Sequence, residues 1–186
     1  YNTNITFKNI NVYSNKYHGF YLMENHGLFT FENVCFIRPP YDQGLRFSSW
    51  GDIYHLTSNR AKFIWKGCKN EHPYDDVFNI MAATMSVSEK HSDSEITLIA
   101  ENSYYGVPKV QPGDLLTIID KDTGKLVGRP TVKSVVKQED KRVRVKLNTP
   151  LPTLKAGKRV YAWDENTVCD PKSEMINCEM DGTFRA

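Results

Sequence analysis

Three short segments of this 186-residue chain carry aspartates in a similar setting: GDIYH (51–55), DDVFN (75–79) and DGTFR (181–185). Asp52 and Asp76 fall at the same place in the first two, 24 residues apart. If those segments are adjacent parallel strands, about 4.8 Å apart, the two carboxylates become neighbours on one wall, with Asp75 beside them. Carboxylates so clustered are costly to keep ionised together. A protonated carboxyl beside an ionised one is also the machinery of glycoside hydrolysis, where one group assists the leaving oxygen and the other activates water or attacks the sugar. The same oxygens would suit a hard cation such as calcium. A third reading is local, since Asp at a turn caps its own backbone. Spacing alone leaves all three open.

Around the aspartates lie groups that fit a sugar: His55, Asn79, Trp50, Arg46 and Tyr74. A sugar offers an apolar ring face and a fringe of hydroxyls, which aromatic rings and polar forks match. Tyr54 belongs more naturally to a buried ladder. No GxSxG elbow, P-loop or HExxH pattern offers a competing chemistry.

Something must hold these residues in line, and the chain contains a repeat that could. NITFKNINV (4–12) recurs as LFTFENVCF (28–36), as KFIWKGCKN (62–70) and in degraded form as KSEMINCEM (172–180). The alignment stacks Phe7, Phe31, Trp65 and Met175 at one position and Ile10, Val34, Cys68 and Cys178 at another. Asn9, Asn33, Gly67 and Asn177 fall between them, residue types that tolerate a left-handed turn. A second ladder is expected from Tyr21, Tyr54, Phe78 and Phe184. Units of this size that cannot bury an apolar face alone fit a solenoid, and strands separated by turns make it a right-handed parallel β-helix.

The interval from Trp65 to Met175 is far longer than the others, so it should hold an insertion. The stretch 84–165 reads as a small antiparallel β-barrel with strands at 85–90, 95–101, 114–120, 125–136, 142–147 and 159–163. The expected organisation is therefore β-helix over 1–83, an inserted barrel over 84–165, and a return to the β-helix over 166–186.

Composition narrows the functional classes. A formal charge of +2 leaves no basic excess for a run of phosphates and argues against nucleic acid. No apolar run approaches the roughly 20 residues of a membrane span. Four widely spaced cysteines match neither a metal-binding pair nor a disulfide framework. The chain starts at Tyr1 and stops just after an apolar segment begins, which reads as an excerpt of a longer chain.

The run GLRFSSWGDIYHLTSNRAKFIWKGCKNEHPYDDVFNIMAATMSV (44–87) resembles the catalytic stretch of glycoside hydrolase family 110, the exo-acting α-1,3-galactosidases. PGDLLTIIDKDTGKLVG (112–128) is similar to the barrel that interrupts the β-helix there, and CDPKSEMINCEMDGTFRA (169–186) to the return. The resemblance implies removal of terminal α-linked galactose with inversion, without metal or other cofactor. It implies catalytic roles for Asp76, Asp75 and Asp52 and a substrate pocket that includes His55 and Asn79. Inversion would set acid and base roughly 6.5–9.5 Å apart. Where the family continues with His-Gly after Asn79 and Ile80, this chain has Met81-Ala82. A carbohydrate partner with a terminal galactoside would place the protein outside the cytoplasm. The competing expectations are a calcium-dependent lyase or polygalacturonase-type hydrolase on the same solenoid, and a non-catalytic glycan-binding or structural β-helix.

Overall fold

The computed structural model describes residues 3–39, 47–101, 108–139 and 141–181. Among them, regular structure is β apart from a 3-10 turn at Glu165–Thr167. The strands are β1 (Ile5–Tyr13), β2 (Phe20–Met23), β3 (Leu28–Ile37), β4 (Tyr54–Thr57), β5 (Lys62–Lys66), β6 (Lys69–Glu71), β7 (Phe78–Met81), β8 (Met85–Ser92), β9 (Glu95–Ala100), β10 (Leu116–Asp120), β11 (Leu126–Gly128), β12 (Val132–Glu139), β13 (Arg142–Leu147), β14 (Gly157–Asp164), β15 (Glu174–Ile176) and β16 (Glu179–Asp181). They fall into two compact units, Tyr1–Met81 with Thr167–Ala186, and Ala82–Asn166.

In the first unit every strand pairing is parallel. One sheet has the order β15-β5-β3-β6-β16 with β1 also on β3, and a three-stranded sheet has the order β2-β4-β7. Phe7 is opposite Phe31, Phe31 opposite Trp65, and Trp65 opposite Met175, so the first aromatic ladder has the register that the repeat predicts. The alternation of buried residues in β3 breaks once. Phe29 and Phe31 are buried, and then Val34 and Phe36, a change of parity across Asn33. A left-handed residue there produces it: φ is 56° at Asn9, 52° at Asn33, 61° at Gly67 and 50° at Asn177. The side-chain Nδ2 of Asn33 donates to Asn9 Oδ1 at 3.1 Å. A Cβ on Gly67 would lie 2.6 Å from Asn33 Oδ1, which is why glycine stands there.

Inside this bend the aromatic rings stack in two files. Phe7, Phe31 and Trp65 are near-parallel, with centroids 5.2 and 5.9 Å apart. Phe20, Tyr54 and Phe78 form the second file at 5.6 and 4.9 Å. The files meet edge to face, Phe31 on Tyr54 at 5.2 Å and Trp65 on Phe78 at 5.0 Å, the geometry that ring quadrupoles favour.

The second file corrects the sequence reading, which aligned Tyr21 with Tyr54. Phe20 is opposite Tyr54, and Tyr21 is opposite His55. Matching tyrosine to tyrosine slips the register by one residue and exchanges the faces of the strand. Asp181 is likewise opposite Glu71, away from Asp75, while Phe184 lies outside the described residues.

The second unit is a seven-stranded antiparallel sheet of order β11-β10-β14-β8-β9-β13-β12 over a core that includes Val87, Leu98, Leu116, Ile118, Val143 and Val145. The expected strand 125–136 is two strands, interrupted at Arg129-Pro130, where proline removes a ladder donor. The start of β12 turns back toward β10: Leu115 bridges Thr131, and the Val132 amide donates to Asp114 O at 2.8 Å. The four cysteines are free thiols. No helix among the described residues is long and apolar enough to cross a membrane.

Candidate active site

In β2, β4 and β7 the residues Phe20 and Leu22, Tyr54 and Leu56, and Phe78 and Ile80 pack into the core. The alternation of a strand sends the intervening residues to the other face. Tyr21, His55 and Asn79 are in register there and form a file of three hydrogen-bonding side chains.

The stacking continues ahead of these strands. The Gly19 amide donates to Asp52 O and the Ile53 amide to Asp76 O, each at 2.9 Å. His18, Asp52 and Asp76 therefore take equivalent places on three successive layers. Asp52 is the buried member, 3% exposed. Its Oδ1 accepts the Asp76 amide at 3.3 Å, and its Oδ2 lies 2.6 Å from His55 Nδ1 and 3.6 Å from His18 Nδ1. With Asp52 ionised and accepting, the N–H of this hydrogen bond is on Nδ1 of His55. An oxygen from each of Asp52, Asp75 and Asp76 lies within 4.8 Å of the other two, with Asp76 on the exposed side.

Rings brace this cluster. Tyr21 stacks on His55 at 4.9 Å and 15°, and the His18 ring lies 4.6 Å from that of His55. A Cβ at Gly51 would come within 2.9 Å of His18 Nδ1, so glycine leaves that ring its place. Behind the wall, burial pushes the Tyr54 phenol well above its ordinary range, which keeps it neutral and makes it packing, not a proton donor.

Two residues ahead of Asp52 and Asp76 stand Trp50 and Tyr74, joined by the same stacking through the Tyr74 amide to Ser49 O at 2.8 Å. Their rings are 4.9 Å apart, and Phe47 lies 5.4 Å from Trp50 and 5.1 Å from Tyr74. Trp50 remains 55% exposed within this group. An aromatic cluster so open to solvent offers a face on which a sugar ring could stack.

Of the residues chosen from sequence, Asp52, Asp75, Asp76 and His55 come together, Asn79 follows His55 in register, and Trp50 pairs with Tyr74. Arg46 lies outside the described residues. Met81, at the departure from the family pattern, is opposite Thr57 on β7. Sequence reasoning missed His18, Tyr21 and Phe47. The pattern Phe-Tyr-Leu, Tyr-His-Leu and Phe-Asn-Ile at 20–22, 54–56 and 78–80 holds the signal for the first two, because matching its outer apolar residues sets His18 against Asp52.

The arrangement can transfer protons between clustered carboxyls and an imidazole, and its oxygens or its two imidazoles could hold a cation. No protein-family model matches the chain. Over 145 residues, 77% of this chain, it is 25% identical to the alpha-1,3-galactosidase A of Bacteroides fragilis. The matched part makes up 23% of that relative, so the chain spans about a quarter of its length, and the likeness to a galactosidase is a distant one.

Proposed function

We propose that this chain carries the catalytic wall of a glycoside hydrolase that releases terminal α-linked galactose. The observation that carries the reading is the convergence of Asp52, Asp75 and Asp76 within 4.8 Å beside an exposed aromatic cluster. The distant galactosidase likeness supports the choice of sugar. Asp75 and Asp76 act as acid and base on the open side. Asp52, buried and bonded to both His55 and the Asp76 amide, holds the array in place and is the third candidate for a direct role. His55 and Asn79 meet sugar hydroxyls, and Trp50 with Tyr74 offers the apolar face. No cofactor is required for this chemistry. The scaffold is a right-handed parallel β-helix, which the all-parallel, in-register layers support, with residues 84–165 an inserted small barrel. A glycan substrate puts the enzyme outside the cytoplasm.

The stereochemistry divides into two readings. Family resemblance favours inversion, with acid and base roughly 6.5–9.5 Å apart around a water. The closest oxygens here are nearer than that, and a separation of about 5–5.5 Å favours retention through a glycosyl-enzyme. Hydrolysis of an α-1,3-linked galactoside, followed by proton NMR from the first minutes, tests both. Galactose appearing first as the β-anomer supports inversion, and the α-anomer supports retention. No galactose release by the parent protein, or release unchanged in Asp75→Asn and Asp76→Asn, would remove the catalytic assignment.

A further inference from the structure

We propose that His18, Asp52 and His55 form a binding site for a divalent transition ion of the zinc class, and that its occupancy blocks hydrolysis by withdrawing Asp52. Both imidazoles turn Nδ1 toward one carboxylate oxygen, at 2.6 and 3.6 Å, and one donor atom from each of the three residues lies within 4.8 Å of the others. An ion entering here displaces the Nδ1 proton of His55 to solvent, and the two nitrogens and one oxygen then make a donor set for zinc and its neighbours, whereas calcium and magnesium take oxygen.

His18 Nδ1 is the telling atom. It is buried and has no hydrogen-bond partner among the described residues, since Asp52 stands beyond hydrogen-bond reach. An unsatisfied buried nitrogen is unfavourable, and a metal ion would use it. The rest of the His18 side chain reaches solvent, 37% exposed, which gives an ion a way in. The ring is fixed by its neighbours: Gly51 clears space for it, and Tyr21 and His55 lie against it at 5.8 and 4.6 Å. Three protein donors with a further position open to water describe an exchangeable site and not a closed structural one.

The layers explain why the donors meet. His18 comes from the layer of β2, and Asp52 and His55 from the layer of β4, so a bound ion would tie two layers together. Asp52 also belongs to the Asp75–Asp76 cluster, and a carboxylate holding a cation no longer supports that cluster electrostatically. The binding half of the proposal stands on these contacts alone, and the inhibitory half rests on the hydrolase reading.

Titration calorimetry of chelator-treated protein with zinc chloride, beside calcium chloride, tests the binding half. One zinc per chain is expected, with no comparable calcium binding. His18→Ala should lower the zinc affinity by at least the roughly tenfold that even an outer-shell change costs. Circular dichroism melts should show a zinc-dependent rise of Tm in the parent that the variant lacks, while both fold without zinc. Zinc should also suppress galactoside release by the parent, with recovery on adding chelator. Absence of stoichiometric zinc binding, zinc binding unchanged in His18→Ala, or equal binding of calcium would overturn the site. Zinc binding that leaves galactoside release untouched would overturn the inhibitory half.

Discussion

The backbone amide of Asp76 lies 3.3 Å from Oδ1 of Asp52, a contact between residues 24 positions apart that ties the buried carboxylate of one layer to the exposed one of the next. Their separation follows from main-chain stacking and not from a loop. One carboxylate is buried and the other exposed, so the two aspartates should differ in their sensitivity to change.

Asp76→Asn should therefore separate activity from stability. Asp76 is exposed, so the variant's unfolding free energy from urea titration should stay within about 0.5 kcal/mol of the parent's. Galactoside release should fall by roughly 10²–10⁴-fold, the contribution of a positioned acid or base. Asp52→Ala should also destabilise, by about 1–3 kcal/mol, because it leaves the part-buried Asp76 amide and His55 Nδ1 without their acceptor.

Gly67 and Gly124 both have positive φ, 61° and 66°, but their surroundings differ. A Cβ at Gly67 meets Asn33 Oδ1 at 2.6 Å, whereas one at Gly124 meets nothing within 4 Å. Gly124→Ala should cost about 1 kcal/mol, the left-handed penalty alone. Gly67→Ala should cost about 2–3 kcal/mol, since strain and displacement of Asn33 add to it. Urea midpoints of the two variants check the order.

Phe31 touches rings on four sides, those of Phe7, Phe20, Tyr54 and Trp65, and is fully buried. Phe31→Ala should destabilise by about 3–5 kcal/mol. Lys141→Ala, at an exposed turn, should change stability by less than about 0.5 kcal/mol. Equal denaturation midpoints would contradict the stacking.

In the antiparallel unit, the Arg129 guanidinium holds Glu165 at both oxygens, at 2.9 and 2.5 Å, and the Thr117 hydroxyl donates to the same carboxylate. These partners lower the Glu165 carboxyl below its ordinary value of 4.5, Arg129 first. A depressed folded-state value means that the pair stabilises fully above that ordinary value and that the benefit is lost as pH falls through the lower one. The parent should therefore lose more stability than Glu165→Gln between about pH 5 and pH 2. Thermal melts across that range measure the difference.

The first ladder was legible because Phe7, Phe31 and Trp65 are large, apolar and spaced by turn residues of one conformational type. The Asn and Gly corners were legible for the same reason: few residues accept positive φ. The second ladder was not, because Phe-Tyr-Leu presents two aromatic residues side by side and composition does not say which faces inward. That single ambiguity hid His18. The break between β11 and β12 has a signal in Pro130, which cannot donate to a ladder. The aspartates were placed from the Tyr54–Phe78 step, where alignment and packing agree.

Inward Phe20, Tyr54 and Phe78 alternate with Tyr21, His55 and Asn79 along the same three strands. Each outward position can be rewritten without touching the rings that set the spacing, because neighbouring side chains on a strand answer to opposite environments. A lineage of such proteins can thus change this outward file one letter at a time while the pitch of the stacked strands stays untouched.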